Sequence, residues 1–280
     1  MKNKFLIIDG HNLLFQMFFG MPRKIFGKGG IEIQGIIGFV GAVNRLIDMV
    51  KPTHIAVLFD SETHNPRCEL LSEYKQNRPD YSLLPECENP FFILPCVYSA
   101  LDVMDIKHTE IKDAETDDVI ASYALTSSED TDVVISSFDS DYFQLISDRV
   151  RILRYRGAAS VICDSDYIKQ KFDISPSLYA DFKSLVGDFS DNIRGIDGIG
   201  PKTASKIINK YGGIDAIIKN IDSIYEERYR CKLSEASEIL KRNIKLIKLD
   251  AHAPLPFEFD DLCFSENRIK TMDVIRILGL

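Results

Sequence analysis

The sequence has no run of about 18 apolar residues, the length that a membrane-spanning helix needs. Nor does it have an internal repeat or a low-complexity tract. The opening, MKNKFLIIDG, carries two lysines and a short apolar run. That run stops at Asp9 and no small-residue cleavage site follows, so it reads as a buried first strand rather than a signal peptide, and the expected location is the cytoplasm. The six cysteines, Cys68, Cys87, Cys96, Cys163, Cys231 and Cys263, form no CxxC pair, and no histidine stands near them at zinc-ligand spacing. Structural zinc is thereby excluded, and six reduced thiols are expected. Positive charge is also short: the formal net charge is −8. Averaged over the molecule, that argues against a nucleic-acid partner. The average misleads where acids gather around a metal, because bound cations invert the local field. The placement of the acids therefore matters more than their number.

What is present is enough for a core. Apolar residues make up 45% of 280 residues, which suits one large α/β domain with a smaller appendage. Three apolar runs end in acid: Phe5 to Ile8 leads into Asp9, His54 to Phe59 into Asp60, and Asp132 to Ile135, through Ser136, Ser137 and Phe138, into Asp139. Such runs suit a parallel sheet covered on both faces. Helical patterns lie between them, at Gly38 to Val50 and Asp117 to Leu125. The alternation predicts a doubly wound α/β domain over the first 175 residues. In such sheets the working crevice lies beyond the carboxyl ends of the strands, where Asp9, Asp60 and Asp139 would converge. After Asp173-Ile174-Ser175-Pro176 strand-like runs stop and short helical stretches follow, so a domain change is expected near residue 175.

Further acids accompany these three. DAETDDVIASYA places Glu115, Asp117 and Asp118 at the start of a helix. Helix capping needs only one acid. Three within four residues repel one another unless a cation offsets them, which favours metal ligands. Asp141 follows Asp139, and GDFSDN adds Asp188 and Asp191. All nine are hard oxygen donors, a set that selects Mg²⁺ or Mn²⁺ over zinc. Two such ions about 3.5–4 Å apart would activate a water and stabilise the leaving oxygen of a displacement at phosphorus.

Taken in order, D-G, F-D, R-x₆-YK-x-x-R, E-x-DD-V-I, D-x-D, GD-x-x-DN and G-x-x-G-I-G-P-K-T-A resemble the bacterial 5′→3′ exonuclease and flap-endonuclease family from about residue 5 to 220. The family includes the N-terminal domain of DNA polymerase I, stand-alone bacterial and phage 5′ nucleases and, more distantly, the eukaryotic flap endonucleases. The resemblance implies a PIN-like, mostly parallel α/β domain (1–175) with a short helical arch at about 75–97. An all-helical DNA-binding domain (176–280) would follow, with a helix-three-turn-helix at about 185–220. It also implies a metal-dependent 5′→3′ exonuclease and structure-specific flap endonuclease with two metal ions. This enzyme would act as a monomer on DNA flaps, overhangs or duplex ends, or on RNA primers in hybrid. Metal ligands fall on Asp9, Asp60, Glu115, Asp117, Asp118, Asp139, Asp141, Asp188 and Asp191. Lys75 and Arg78 would contact the scissile phosphate, with Arg67 upstream.

Within the arch region, Tyr81, Phe91 and Phe92 either stack on bases or join the core; the residues leave both readings open. In GIDGIGPKTASK, Gly198 and Gly200 permit tight turns and close backbone approach, and Pro201 suits the first helical position. Ile199, Thr203, Lys202 and Lys206 complete a turn that would grip duplex backbone without reading bases. The resemblance adds K⁺, held by backbone atoms of Leu185, Val186, Arg194, Ile196 and Ile199. There are departures: Gln16 stands where relatives commonly have Arg, Phe138 where Gly usually precedes D-x-D, and Arg194 where Pro is common. His11, beside Asp9, has no assigned role. Two rivals are a structure-specific DNA-binding module with weak or no cleavage, and a toxin-like ribonuclease, whose chains usually end after the sheet domain.

Overall fold

The computed structural model describes residues 2–61, 66–77, 79–112, 114–265 and 269–280. Six strands form one sheet among them: β1 (Asn3–Asp9), β2 (His54–Asp60), β3 (Lys107–Ile111), β4 (Thr131–Ser136), β5 (Val150–Arg154) and β6 (Val161–Cys163), in the order β3-β2-β1-β4-β5-β6. All neighbours are parallel except β5 and β6. The crossovers carry α1 (Gly10–Gly20) and α2 (Gln34–Val50) after β1, α3 (Leu94–Val103) after β2, and α4 (Thr116–Thr126) after β3. Sequence order reverses between β1 and β4, so the switch point of the sheet lies beyond Asp9 and Ser136.

The strands are apolar throughout because both faces are covered. Along β1 the pleat sends Phe5 and Ile7 to one face and Leu6 and Ile8 to the other. The second face packs on α1, α2 and α3 through Leu14, Phe39, Leu46 and Val97. The first packs on α4 through Val119, Ile120 and Tyr123, and its core runs on without a break into the helical half.

That half consists of α5 (Ser165–Phe172), α6 (Tyr179–Val186), a two-residue ladder of β7 (Gly187–Asp188) with β8 (Ile193–Arg194), α7 (Pro201–Tyr211), α8 (Ile214–Lys219), α9 (Glu227–Glu235), α10 (Ser237–Ile247) and α11 (Thr271–Ile277). Ile199, Ile207, Ile208 and Leu240 belong to the core that also holds Phe5 and Val133. The chain then returns to the sheet. Tyr123 Oη donates to the Phe257 carbonyl at 2.8 Å, Cys263 bridges to His54 at the start of β2, and Val274 and Ile275 of α11 join the core around α2.

Strands β3, β5 and β6 were not visible in the sequence pattern. Strand β3 reads Lys-His-Thr-Glu-Ile, with only Ile111 buried, because it is an edge strand. Residues 81–93 form three short 3₁₀ turns, Tyr81–Leu83, Glu86–Glu88 and Pro90–Ile93, before α3 begins. Among the described residues no helix is long and apolar enough to cross a membrane, and all six cysteines are free.

Candidate metal centre

The acids gather where strands end and helices begin. Asp9, the last residue of β1, caps α1: its Oδ1 accepts the Asn12 N–H at 3.0 Å and its Oδ2 accepts the Ser137 hydroxyl at 2.8 Å. Burial pushes its carboxyl well above the usual range, and the charges of Asp117 and Asp60 push the same way. Asp60 ends β2 with a half-exposed side chain, and its backbone N–H donates to His11 Nδ1 at 3.0 Å. Asp139 follows β4, and its Oδ1 accepts the Asp141 N–H at 2.8 Å.

Glu115 is the cap residue of α4, with Asp117 and Asp118 in the first turn. Their environments differ. Arg67 places one guanidinium nitrogen on Glu115 and the other on Asp118, the latter at 2.7 Å. Asp118 Oδ1 also accepts the Asp250 N–H at 2.9 Å. Lys75 Nζ lies 3.1 Å from Glu115 Oε1. Asp117 is instead buried against acids: desolvation, then Asp139 and Asp60, push its carboxyl up to about 6, opposed by Lys75 and a hydrogen bond from the Tyr142 hydroxyl. Among the acids of β1 and α4 the repulsion is thus concentrated at Asp9 and Asp117, while Asp118 has a cationic partner.

A second group joins the segment after β4 to the helical half. Asp141, Asp188 and Asp191 are buried, and each offers one oxygen within 4.8 Å of the other two. Lys183, from α6, inserts its buried ammonium between Asp141 and Asp188 and contacts both. One lysine leaves two acids in different states. At Asp141 burial and the charges of Asp139 and Asp188 outweigh it, and the carboxyl is raised. At Asp188 burial is overcome by Lys183 and by two hydrogen bonds from Ser190, and the carboxyl is lowered. The Tyr74 hydroxyl donates to Asp191 Oδ2 at 3.2 Å.

Sequence reasoning missed Lys183, Tyr74 and Tyr142. Lys183 left one trace, a cation inside the largely buried run of α6, one turn before Gly187-Asp188. Tyr142 is simply the neighbour of Asp141.

The donor set suits a hard divalent cation: carboxylate oxygens converge, burial makes their repulsion costly, and no cysteine takes part. A cation held by Asp141 and Asp188 would share them with Lys183.

Of the remaining candidates, Arg78 lies outside the described residues. Tyr81 and Phe91 pack with Phe15, their ring centroids 5.1 and 5.5 Å from its own, and Phe91 also lies 5.2 Å from His11; Phe92 is half exposed. Gly198 (φ +77°) turns the chain ahead of α7, and Gly200 and Pro201 open that helix. Lys202 and Lys206 are exposed and Thr203 is partly exposed. The Ile199 side chain is buried, so only its backbone can meet a ligand. Among the backbone oxygens considered for K⁺, those of Leu185, Arg194 and Ile196 each already accept one hydrogen bond, from the Ile196 N–H, Asn243 Nδ2 and the Ile199 N–H. Val186 follows Leu185 at the end of α6. The Arg194 side chain pairs with Asp197 at 2.8 Å.

A mostly parallel α/β sheet with acids at its switch point, continued by a helical half that supplies more acids, defines the class of α/β proteins with a carboxylate-lined site that can hold a metal ion. The chain belongs to the 5′-3′ exonuclease family. Residues 4–173 match its N-terminal resolvase-like domain and residues 174–270 its C-terminal SAM fold. Among curated proteins it is similar to DNA polymerase I of Bacillus caldotenax, 30% identical over 283 residues, covering 100% of this chain and 32% of that protein. It is also similar to the thermostable DNA polymerase I of Thermus thermophilus, 29% identical over 255 residues, covering 91% and 30%. The chain therefore spans about a third of the length of these relatives. The fold is shared with the 5′-exonuclease of bacteriophage T5 solved with divalent metal ions (zinc), with a TM-score of 0.72, 22% identity and coverage of 99% and 100%. It is also shared with the catalytic core of Rad2 in complex with DNA substrate, with a TM-score of 0.60, 14% identity and coverage of 99% and 85%.

Proposed function

We propose that this chain is a metal-dependent 5′ nuclease that hydrolyses DNA phosphodiesters near 5′ ends and single-strand/duplex junctions, as exonuclease and flap endonuclease. One observation carries the reading: buried acids from β1, α4, the segment after β4 and the β7 ladder crowd together, with the cations Lys75, Arg67 and Lys183 among them.

In this reading Asp9, Asp60, Glu115, Asp117, Asp118, Asp139, Asp141, Asp188 and Asp191 hold Mg²⁺ or Mn²⁺. When bound, two such ions activate water and offset charge on the phosphoryl group. The protein's own groups do the positioning. Lys75 draws the scissile phosphate toward Glu115, with Arg78 assigned to the same task. Arg67 holds Glu115 and Asp118 in one orientation. Asn12 and Ser137 fix Asp9.

We assign residues 1–175 to catalysis and 176–280 chiefly to DNA binding. The turn from Gly198 to Lys206 grips duplex backbone, and K⁺ at the carbonyls of Leu185, Val186, Arg194, Ile196 and Ile199 stiffens it. The enzyme acts as a cytoplasmic monomer, removing flaps or primers during replication or repair; the likeness to DNA polymerase I supports that role.

The test is product mapping on a 5′-flap duplex beside a blunt duplex, labelled at either end, in Mg²⁺, Mn²⁺ or chelator. Cuts confined to 5′ ends and the flap junction, and only with metal, are expected. Flap binding without cleavage in any metal would leave the DNA-binding module instead.

A further inference from the structure

The position where Phe138 departs from the expected glycine is occupied in an unusual way. Phe138 links β4 to Asp139. The guanidinium carbon of Arg156 lies 5.0 Å from its ring centroid and that of Arg154 lies 5.9 Å away. Arg154 is anchored: it donates to the Phe138 carbonyl at 3.0 Å and lies 4.6 Å from the Phe143 ring centroid. Arg156 is exposed, and its backbone is held by the Ser160 hydroxyl at 2.9 Å in a turn that Gly157 (φ +56°) makes possible. The Phe138 backbone is held as well, because its N–H donates to Asn12 Oδ1 at 3.0 Å. Gln16 ties α1 to the same place through the Tyr155 carbonyl at 2.5 Å.

Among the described residues neither arginine forms an ion pair, in a chain whose net charge is −8. Stacking on a phenyl face orients a guanidinium and leaves its N–H edge unspent, the geometry that suits a forked bond to a phosphate. Packing alone accounts for Arg154, which is partly buried. It does not account for Arg156, which is exposed, oriented and without a carboxylate.

We propose that Arg156, held over Phe138 with Arg154 fixing the ledge beneath, is a phosphate clamp for the DNA strand that enters the acidic centre. The clamp rests on the nuclease reading above, and it follows β5, an element other than those that carry Lys75 and the turn before α7. The ligand is one backbone phosphodiester, recognised by charge and shape without reference to base.

The experiment is single-turnover cleavage of a labelled 5′-flap duplex in Mg²⁺, giving the half-saturating enzyme concentration at several salt concentrations. Arg156→Gln should flatten the slope of log half-saturation against log salt by about 0.7–0.9, the share of one phosphate contact. Between about 50 and 200 mM salt that amounts to a roughly 3-fold smaller loss of affinity. Phe138→Leu keeps both charges and removes the ring face; it should raise half-saturation at every salt concentration with the slope retained. Arg156→Lys should restore the slope but not the full affinity. A single neutral methylphosphonate at the contacted position should erase the difference between wild type and Arg156→Gln. Melting curves establish that each variant is folded. An Arg156→Gln slope equal to wild type overturns the clamp, as does a methylphosphonate scan with no such position. A folded Phe138→Leu indistinguishable from wild type overturns the role of the ring. If the wild type cuts and the Arg156→Gln slope is unchanged, only the clamp falls. If the wild type cuts nothing, the nuclease reading fails and the clamp falls with it.

Discussion

The ammonium of Lys183 is buried in contact with the carboxylate of Asp141, and the same nitrogen reaches Asp188. It is the internal counter-charge of two acids, one from the segment after β4 and one from the helical half. Removing one partner of a buried ion pair leaves uncompensated charge, at a cost on the order of 3–5 kcal/mol. Lys183→Met should therefore lower the unfolding free energy by that order in chelator, as read by urea denaturation. Excess Mg²⁺ should restore part of the loss, because a cation that binds only the folded state stabilises it by mass action. Pairing Lys183→Met with Asp188→Asn should recover stability without metal. A loss below about 1 kcal/mol in chelator would mean that water, not Lys183, carries the compensation.

Asp117 offers the complementary case, an acid whose neighbours are mostly acids. Its folded carboxyl is held at about 6 against an ordinary 3.8. A carboxyl raised on folding makes the folded state the better proton binder, so ionisation destabilises the fold. In chelator, stability should rise as pH falls from 7 toward 4, and Asp9, shifted the same way, should add to the rise. The penalty at neutral pH is on the order of 3 kcal/mol. Asp117→Asn can still accept the Tyr142 hydrogen bond, so it should be more stable than wild type at pH 7 in chelator. It should also show a flatter pH profile and lose most cleavage, the conflict between stability and activity expected of a charged site. Calorimetry across pH 5–7 in chelator decides it. A destabilised Asp117→Asn with an unchanged profile would show that Asp117 is a satisfied group rather than a repelling one.

The strand-then-acid pattern was readable because β1, β2 and β4 are central and buried on both faces, which leaves long apolar runs that end at Asp9 and Asp60 and just before Asp139. The helix opened by Thr116 was readable from Asp117 and Asp118 for the same reason, a sharp change from acid to apolar. Other features left little trace. An edge strand such as β3 needs apolar residues on neither side in full, so Lys107 to Glu110 look like loop. The partner of an acid depends on long-range packing: Arg67 is 51 residues from Asp118, and Lys183 is 42 from Asp141. No local periodicity encodes such pairs. The return of α11 to the core around α2 was equally hidden, because Val274 and Ile275 are too few to declare which face they cover.

The two glycines before α7 should behave differently. Gly198 has φ +77°, where any side chain costs about 1–2 kcal/mol, so Gly198→Ala should lower stability by that order. Gly200 has φ −86° and ψ 177°, and an added Cβ would meet nothing within 4 Å. Gly200 is the N-cap of α7, where valine is a poor substitute, so Gly200→Val should cost about 1 kcal/mol through the cap and nothing through steric clash. If DNA backbone approaches here, the same substitution should weaken binding alike for unrelated duplex sequences. Lys202→Ala should reduce the salt slope by about 0.9. Denaturation and anisotropy titrations on two duplexes separate the effects. Full binding by a folded Gly200→Val would move the duplex away from this turn.

Lys75 combines an unusual backbone with an unusual side chain. Its φ is +57°, left-handed for a residue with a Cβ, and its N–H donates to the Asp191 carbonyl at 3.2 Å while the adjacent Tyr74 hydroxyl reaches the Asp191 carboxylate. The side chain lies 4.9 Å from the Tyr74 ring centroid and 3.1 Å from Glu115. Strain and charge can be separated by two substitutions. Lys75→Ala keeps the strained Cβ and loses the charge, whereas Lys75→Gly loses both. If the charge holds the scissile phosphate, both variants should lose at least about tenfold in turnover, about 1.4 kcal/mol of transition-state stabilisation. Duplex binding should fall less, since the turn before α7 remains. In stability the two should part, Lys75→Gly being the more stable because it adopts φ +57° without strain. Denaturation and single-turnover cleavage of both proteins supply the comparison. Turnover that tracks stability, high in Lys75→Gly and low in Lys75→Ala, would make Lys75 a backbone device. Equal losses of turnover in two proteins of unequal stability would place the function in the ammonium.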